Sequence, residues 1–557
     1  MKVLRQTRRS LRWLMRNSRE HRLQMWLNCI LGILSVSLSL AFVWGMKWTI
    51  DIATEVKAGS LDAAISLLIA FVAGQVLANF ISSWVRALLG VRMRNALQAS
   101  MLSRLLQATW TDLRKVHTTD IVSRMTTDVD IVANLINEQI PLLLTILFQL
   151  CGAFAFLYLL DNRLALIVVI VAPAFVLLSK LFMRRLHNIA HAIRESESHV
   201  LTSIQESLRH STIVKTFDRI AYIGERLTLQ QQHLQAKVIE RTRYSSISQM
   251  MMNVGFATGY LFTFIWGVKH LQAGIITYGS LTAFIQLVGQ IQGPIRSLTR
   301  FVPILVSAAT AIERLMELDQ LEHEQDSSAT VAISSHPNST AVAGALTIVP
   351  PPLTFHQVSF RYPGEEQWVL PAFSHTFRPG SVTAIQGATG SGKTTLVRLM
   401  LSLLRPTMGN VILGDTPITP TTRRYLTYVP QGNSLFSGSI RENLLLAAPT
   451  ASDEQMAEAL RHAAADFVFS LPQGLDAICT ERGGGISEGQ AQRLCIARAL
   501  LRPASIMIFD ECTSALDIST EHRVIKGILQ ACTGCTIIFV THRPAVLTYC
   551  TDVIRLS

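Results

Sequence analysis

The chain has 557 residues, more than one compact domain requires, and carries 50 Lys and Arg against 38 Asp and Glu, a formal net charge of +12. Only 16% of its residues are charged while 49% are hydrophobic, and a positive mean hydropathy argues against an ordinary soluble protein and for a membrane. No basic run is interleaved with aromatics on a recognisable module, so nucleic acid is not an expected partner; attraction to membrane lipids and a cytoplasmic bias of loop charge account for the excess.

In chain order, residues 1–24 come first, with Lys2, Arg5, Arg8, Arg9, Arg12, Arg16, Arg19 and Arg22. This segment reads as a basic helix lying on anionic headgroups, and it sets a cytoplasmic N-terminus by the positive-inside rule. Residues 25–320 contain candidate membrane spans near 25–46, 64–86, 140–160, 163–183, 250–271 and 279–305, most with the roughly 20 apolar residues that a bilayer requires. The first is too long for a signal peptide and reads as a retained anchor. Six spans put both ends in the cytoplasm. The exterior loops are then short ("DIATEVKAGSLD", "LDNR", "LQAGIITYG"), and the interior segments 86–139 and 184–248 carry helices well beyond the bilayer. Near the cytoplasmic end of the sixth span, Gln292, Arg296 and Arg300 share one helical face. Either Arg296, with Gln292, faces an aqueous cavity that takes an acidic amphipath, or these arginines snorkel to lipid phosphates at an ordinary helix end. "QMMMN" at 249–253 is an adaptable apolar contact or simple helix packing.

Residues 321–352 are rich in Ser, Ala and Pro without a period and read as a linker. Their sequon, Asn338-Ser339-Thr340, falls on the cytoplasmic side and is not expected to be glycosylated. None of the eight cysteines lies in an exterior loop, so no disulfide framework is implied, and Cys532 and Cys535 read as two ordinary cysteines around a turn glycine.

From residue 353 short β-rich runs alternate with helical ones: "SVTAIQG", "SIMIFDE" and "CTIIFVTH" as buried strands, "KTTLVRLMLSLL" as a helix. This is α/β patterning. "GATGSGKTT" fits G-x-x-x-x-G-K-[ST] between a strand and a helix, the context the motif needs. Gly387, Ala388, Thr389, Gly390, Ser391 and Gly392 would wrap backbone N–H groups around phosphate oxygens. Lys393 would bring charge to the β- and γ-phosphates, and Thr394, beside Thr395, a hydroxyl to Mg²⁺. In "IMIFDE", Asp510 would reach the Mg²⁺ shell and Glu511 would act as general base on the attacking water.

At this point residues 353–557 resemble an ATP-binding-cassette domain. Tyr362 in "FRYP" resembles the aromatic that stacks on adenine, and Gln431 in "VPQ" the glutamine that joins Mg²⁺ to the membrane domain. "ISEGQ", with Ser487, Glu488, Gly489 and Gln490, resembles the signature that acts on a partner chain's ATP. "SALD" with Asp517 resembles the D-loop, and His542 in "VTHR" the switch histidine. "DIVSRMTTDVD" at 120–130, "SIQESLRHSTIVKTF" at 203–217 and the sixth span are similar to the exporter-type membrane domain. The resemblance implies a six-helix all-α transmembrane domain followed by an α/β P-loop NTPase: an exporter-type half-transporter that binds ATP and Mg²⁺. It implies pairing with a second half-transporter, as a homodimer by preference or a heterodimer. It further implies a multi-pass protein of a bacterial-type inner or plasma membrane, with the cassette in the cytoplasm, moving an amphipathic lipid, drug or peptide. In the lipid-exporting branch a basic residue is found near the place of Arg296. No peptidase-like domain precedes the membrane region, and the C-terminal elements look shortened.

The signature carries Glu488 where the family has glycine. Pointed at phosphate, that carboxylate would meet like charge at about 4 Å, worth about 4 kcal/mol at an effective dielectric of about 20. Turned away in the first turn of a helix it gains about 0.3–1 kcal/mol. A working signature is therefore expected; a heterodimer with one weakened site, or an ATP-gated regulatory or channel protein, are the rival readings.

Overall fold

The computed structural model describes residues 2–17, 19, 22–168, 183–324, 350–479 and 486–556. The chain divides into two compact units, Met1–Leu105 with His117–Gln320, and Leu106–Val116 with Leu321–Ser557.

The first unit is helical. In chain order its elements are α1 (Lys2–Asn17), α2 (Arg22–Ala53) and α3 (Leu61–Gln107), then, after α4 (Trp110–Lys115) of the second unit, α5 (Thr118–Leu160), α6 (Met183–Arg209), α7 (Ser211–Thr216), α8 (Ile220–Gln272) and α9 (Tyr278–Asp319). Among the described residues α2, α3, α5 and α8 are long and apolar enough to cross a membrane. In lipid a helix satisfies every backbone N–H and C=O internally, which is why these apolar runs adopt it. Hydroxyls inside them bond back to the preceding turn, as Thr49 does to the Gly45 carbonyl and Thr263 to the Gly259 carbonyl, both at 2.8 Å. The fourth candidate span is helical over 162–168, and its remainder lies outside the described residues, as do most of the expected linker and its sequon. The sixth lies in α9, with Pro294 and Pro303 inside the helix.

The helices outrun their apolar stretches. α8 has 53 residues, about 80 Å at 1.5 Å per residue, against about 30 Å of hydrocarbon. One apolar cluster packs Val43, Leu157, Leu164, Phe284 and Leu287. A second joins Trp13 and Leu14 of α1 to Met93, Met101, Ile136 and Leu315. "DIVSRMTTDVD" forms the start of α5, including a π-helical turn at Arg124–Asp128. Its acids face the end of α9: Arg314 bonds Asp120 at 2.6 Å and buried Asp128 at 3.1 Å, and Arg124 bonds Asp120 and Glu317, both at 2.8 Å.

The second unit is α/β. An antiparallel sheet runs β2–β1–β4–β5, from β1 (Leu353–Phe360), β2 (Leu370–Phe377), β4 (Met408–Leu413) and β5 (Thr416–Pro417). A parallel sheet runs β11–β3–β10–β9–β6, from β3 (Val382–Gly387), β6 (Leu426–Val429), β9 (Ile506–Asp510), β10 (Thr536–Val540) and β11 (Asp552–Leu556), and β7 (Gly438–Ser439) pairs with β8 (Ile478–Cys479). All five residues of β9 and of β10 are buried, as continuous apolar runs in a parallel sheet should be. The helices the site uses are α10 (Lys393–Met400), α11 (Glu488–Leu501) and α12 (Ile518–Ala531). Residues 106–116, drawn from between two membrane helices, belong to this unit. The Thr109 N–H donates to the Glu322 carbonyl at 2.8 Å, the Glu324 N–H to the Gln107 carbonyl at 2.9 Å, and Trp110 lies under the Arg398 guanidinium at 4.5 Å.

Candidate functional site

The parallel register sets Val540 beside both Ile385 and Asp510. The carboxyl ends of β3, β9 and β10 therefore lie side by side, the edge where open α/β sheets hold ligands. From β3 the chain enters the glycine loop, from β9 the pair Asp510–Glu511, and from β10 His542.

Two glycines shape the loop. Gly390 and Gly392 have φ of +90° and +89°, which L side chains rarely adopt. A Cβ on Gly392 would also lie 2.9 Å from the Val369 carbonyl. Ala388, Thr389 and Gly390 are exposed, as is Thr394. Lys393 opens α10 and folds back over the loop, its Nζ donating to the carbonyls of Gly387 at 2.6 Å and Ala388 at 2.9 Å. Ser391 Oγ is buried with no hydrogen-bond partner. Buried hydroxyls are nearly always bonded, so this orphan within a curl of backbone N–H groups at a helix N-terminus fits a phosphate-bearing ligand.

Asp510 is buried and accepts a hydrogen bond from the Tyr428 hydroxyl at 3.2 Å. Burial raises its pKa above the usual carboxylate range and neighbouring Glu511 adds to this, while the Tyr428 bond, Arg398 and Lys393 work the other way. A buried acid facing a phosphate loop is a fitting ligand for a divalent cation, whose charge would restore the carboxylate. Glu511 has φ +46°, a strained backbone for a non-glycine residue. It is held by its N–H to the Val540 carbonyl at 2.9 Å and by its carbonyl to the Ser514 N–H at 3.2 Å. Its Oε2 accepts from Gln431 Nε2 at 2.6 Å, so the structure brings these two residues together at the sheet edge. His542 is exposed just past β10.

Tyr362 packs edge-on to Phe360 at 5.0 Å, and its hydroxyl meets Thr395 Oγ1 at 3.2 Å and Arg398 Nη1 at 3.0 Å. It is thereby fixed beside α10, with its ring at the margin of the unit's apolar core.

Ser487 is the N-cap of α11. Its Oγ accepts from the Gln490 N–H at 3.2 Å while its own N–H donates to Gln490 Oε1 at 2.8 Å, a capping box. Glu488 is the first helical residue and is exposed. Gly489 packs so closely on the next loop that a Cβ would lie 2.9 Å from the Ala515 carbonyl. Asp517 caps α12, accepting from the Thr520 N–H at 2.9 Å and the Ser519 hydroxyl at 2.6 Å, and these bonds hold its carboxyl far below the usual range.

In the first unit Gln292 Nε2 donates to the Phe256 carbonyl at 3.0 Å, and Arg296 lies 5.0 Å from the Phe256 ring centre with Nη2 3.4 Å from Asn253 Oδ1. Asn253 also lines a groove of about 480 Å³ with Ser246, Gln249, Met250, Val254 and Ala257. The Arg300 side chain lies outside the described residues.

Sequence reasoning missed Tyr428 and Arg398. The signal each offered was a polar or charged residue within an otherwise apolar element or beside a motif, too common to single out.

The fold and this edge define a P-loop nucleotide-binding cassette joined to a helical membrane domain. The family model described as "ABC transporter transmembrane region" matches residues 25–295, and that described as "ABC transporter" matches 370–514, between them most of the chain. The chain belongs to the ABC transporters, with the one-membrane-domain, one-cassette organisation of an exporter-type half-transporter. It is 28% identical over 479 residues to an ATP-dependent lipid A-core flippase of Bordetella avium, covering 84% of this chain and 78% of that protein. It is 27% identical over 524 residues to the serine protease/ABC transporter B family protein tagA of Dictyostelium discoideum, of whose length it spans 29%. A solved bacterial Atm1-family ABC exporter shares the fold with a TM-score of 0.77 at 22% identity, covering 97% of this chain and 94% of that one. This is a multi-pass membrane protein with its ATP-binding domain on the cytoplasmic side.

Proposed function

We propose that two copies of this chain form an ATP-hydrolysing exporter that moves an amphipathic substrate, lipid-like in character, across a bacterial-type inner or plasma membrane by alternating access. Each composite ATP site takes the glycine loop of one copy and Ser487–Gln490 of the other. Lys393 and the amides of Gly387–Thr395 hold the phosphates, Tyr362 takes the adenine side, and Thr394, Asp510 and Gln431 hold Mg²⁺. Bound Mg²⁺ would neutralise phosphate charge. Glu511 Oε2 accepts the proton of the attacking water, and the Gln431 amide orients that carboxylate from 2.6 Å. His542 lies at the same sheet edge to contact the terminal phosphate. Arg296 and Gln292, beside the groove at Asn253, are the candidate substrate contacts, with a soft apolar wall from Met250. A flippase among the relatives supports a lipid-like cargo.

The observation that supports this reading is local: Glu511 is bonded to Gln431 at 2.6 Å, and Ser487 caps its helix in a capping box with Glu488 facing solvent. The test is steady-state ATPase activity of the chain purified alone in lipid nanodiscs, beside Glu511→Gln. Turnover in the wild type and a fall of about 100-fold or more in the variant are expected. ATP binding without turnover in either protein would point instead to a heterodimer that needs a different second chain, or to ATP as a ligand alone.

A further inference from the structure

α9 ends at Asp319, and the chain that leaves it is fastened within a few residues. Residues 322–324 lie antiparallel to 107–109. The Thr109 N–H donates to the Glu322 carbonyl at 2.8 Å, the Glu324 N–H to the Gln107 carbonyl at 2.9 Å, and Ala108 pairs with His323. The Glu322 N–H donates to Asp112 Oδ2 at 3.2 Å. Glu324 then meets Arg423 as a forked pair, Nη1 to Oε2 at 2.6 Å and Nη2 to Oε1 at 2.8 Å. The same guanidinium closes the end of α10, with Nε donating to the Leu401 carbonyl at 2.7 Å and Nη2 to the Ser402 carbonyl at 2.8 Å.

A forked arginine–carboxylate pair holds one geometry, and its charge-assisted bonds are the strong kind. These side chains are 30% and 19% exposed, so water screens the pair only in part. A cation on the last carbonyls of a helix is favoured by the helix field as well. Glu324 therefore grips α10 at its C-terminal end through Arg423, while Trp110, next to the paired segment, lies under Arg398 of the same helix. α10 has eight residues, a rod of about 12 Å, and it opens with Lys393, whose Nζ folds over the glycine loop. Residues 325–349 stand apart from this path. Glu324 before them and Pro350 after them belong to the same unit, so the covalent route from α9 into the cassette is already complete at Glu324.

We propose that Glu324 and Arg423 are positioning residues that join the end of α9 to α10, so that movement of α9 reaches the glycine loop through this pair, and that residues 325–349 carry none of that link. This rests on the reading of the chain as an ATP-driven transporter.

The test uses the full chain in nanodiscs with a protease site inserted between Ser335 and His336, and reads hydrogen exchange of Ile312–Asp319 with and without ATP. ATP is expected to slow that exchange about ten-fold in the intact chain, and by the same factor after cutting, because the pair survives the cut. Glu324→Gln keeps the chain whole and removes the charge. Its response is expected to fall below about two-fold, with ATP affinity within about two-fold of the wild type. Arg423→Lys keeps a charge, loses the fork, should behave alike, and stands in should the first variant fail to fold. Loss of the response on cutting alone overturns the proposal, since residues 325–349 would then carry the link. A full response in both variants, with or without a lower melting temperature, also overturns it, since the pair would then be merely structural. Absence of any response to ATP in the uncut wild type would instead bring down the proposed transport cycle. Gel filtration of the cut chain then decides whether the join exists. The two pieces are expected to stay together in the wild type and to part about ten-fold more readily in cut Glu324→Gln; parting of the cut wild type, or equal retention in the variant, overturns the join.

Discussion

Glu488 shows how a side chain foreign to a motif can be accommodated by its position on a helix. Ser487 and Gln490 close the capping box around it, and as the first helical residue it faces solvent. A carboxylate there is favoured by the helix field by about 0.3–1 kcal/mol, and glycine in its place adds backbone entropy to the unfolded chain. Glu488→Gly is therefore expected to lower stability by about 1 kcal/mol and to change kcat by less than about three-fold. A gain of ten-fold or more in ATPase rate would show that the acid restrains the wild-type site. Tyr428 offers a second residue-scale test. Burial lifts the Asp510 pKa, and the Tyr428 hydroxyl holds it back. A carboxyl with a raised value loses its charge as pH falls through that value, sooner than an exposed aspartate would. Tyr428→Phe removes the restraint, so the acid limb of Mg²⁺-dependent ATPase activity should move to higher pH. A pH profile that does not move would mean that another group sets that limb. The motif residues were legible because fixed spacing ties each to a strand end or a helix start. Tyr428 and Arg398 were not, because each acts across 36 to 82 residues of sequence on a partner that only the fold brings near.

At the scale of elements, apolar length located the membrane helices, but not where the long helices stop. The charged stretch 184–248 reads as helical with no break marked, and the chain turns after Arg209 and again at Asp218, whose φ is +53° without any glycine to announce it. The stretch 86–139 is interrupted at Ala108–Thr109, where the chain pairs with Glu322–Glu324. α1 is the other surprise. A basic amphipathic segment reads as lying on headgroups, but the structure buries Trp13 and Leu14 against α3, α5 and α9. Asp319, the last residue of α9, gathers the Trp13 indole N–H at 3.0 Å, Arg16 at 2.6 Å and Arg104. Composition alone cannot tell a lipid face from a protein face, since both are apolar. Trp13→Ala removes the buried indole and its bond to Asp319, a loss of about 3–5 kcal/mol. Amides of α1 are then expected to exchange about a hundred-fold faster or more. Wild-type exchange in the variant would mean that the membrane, not Asp319, holds this helix.

For the whole molecule, the order of membrane region then cassette could be read from the change in composition near residue 320, and the two family models fall on either side of it. What composition could not convey is that the division is not a single cut. Residues 106–116 belong with the cassette while the chain on both sides of them belongs with the helices. The polypeptide therefore passes from one unit to the other three times, at 105–106, 116–117 and 320–321. A cassette expressed alone from residue 353 would lack Trp110, leaving the Arg398 guanidinium and the adjoining apolar margin bare. The C-terminal half thus completes its surface only with eleven residues borrowed from the N-terminal half. In a growing chain those eleven are made more than 200 residues before α10, whose Arg398 covers Trp110, so this contact waits on a helix synthesised long after them.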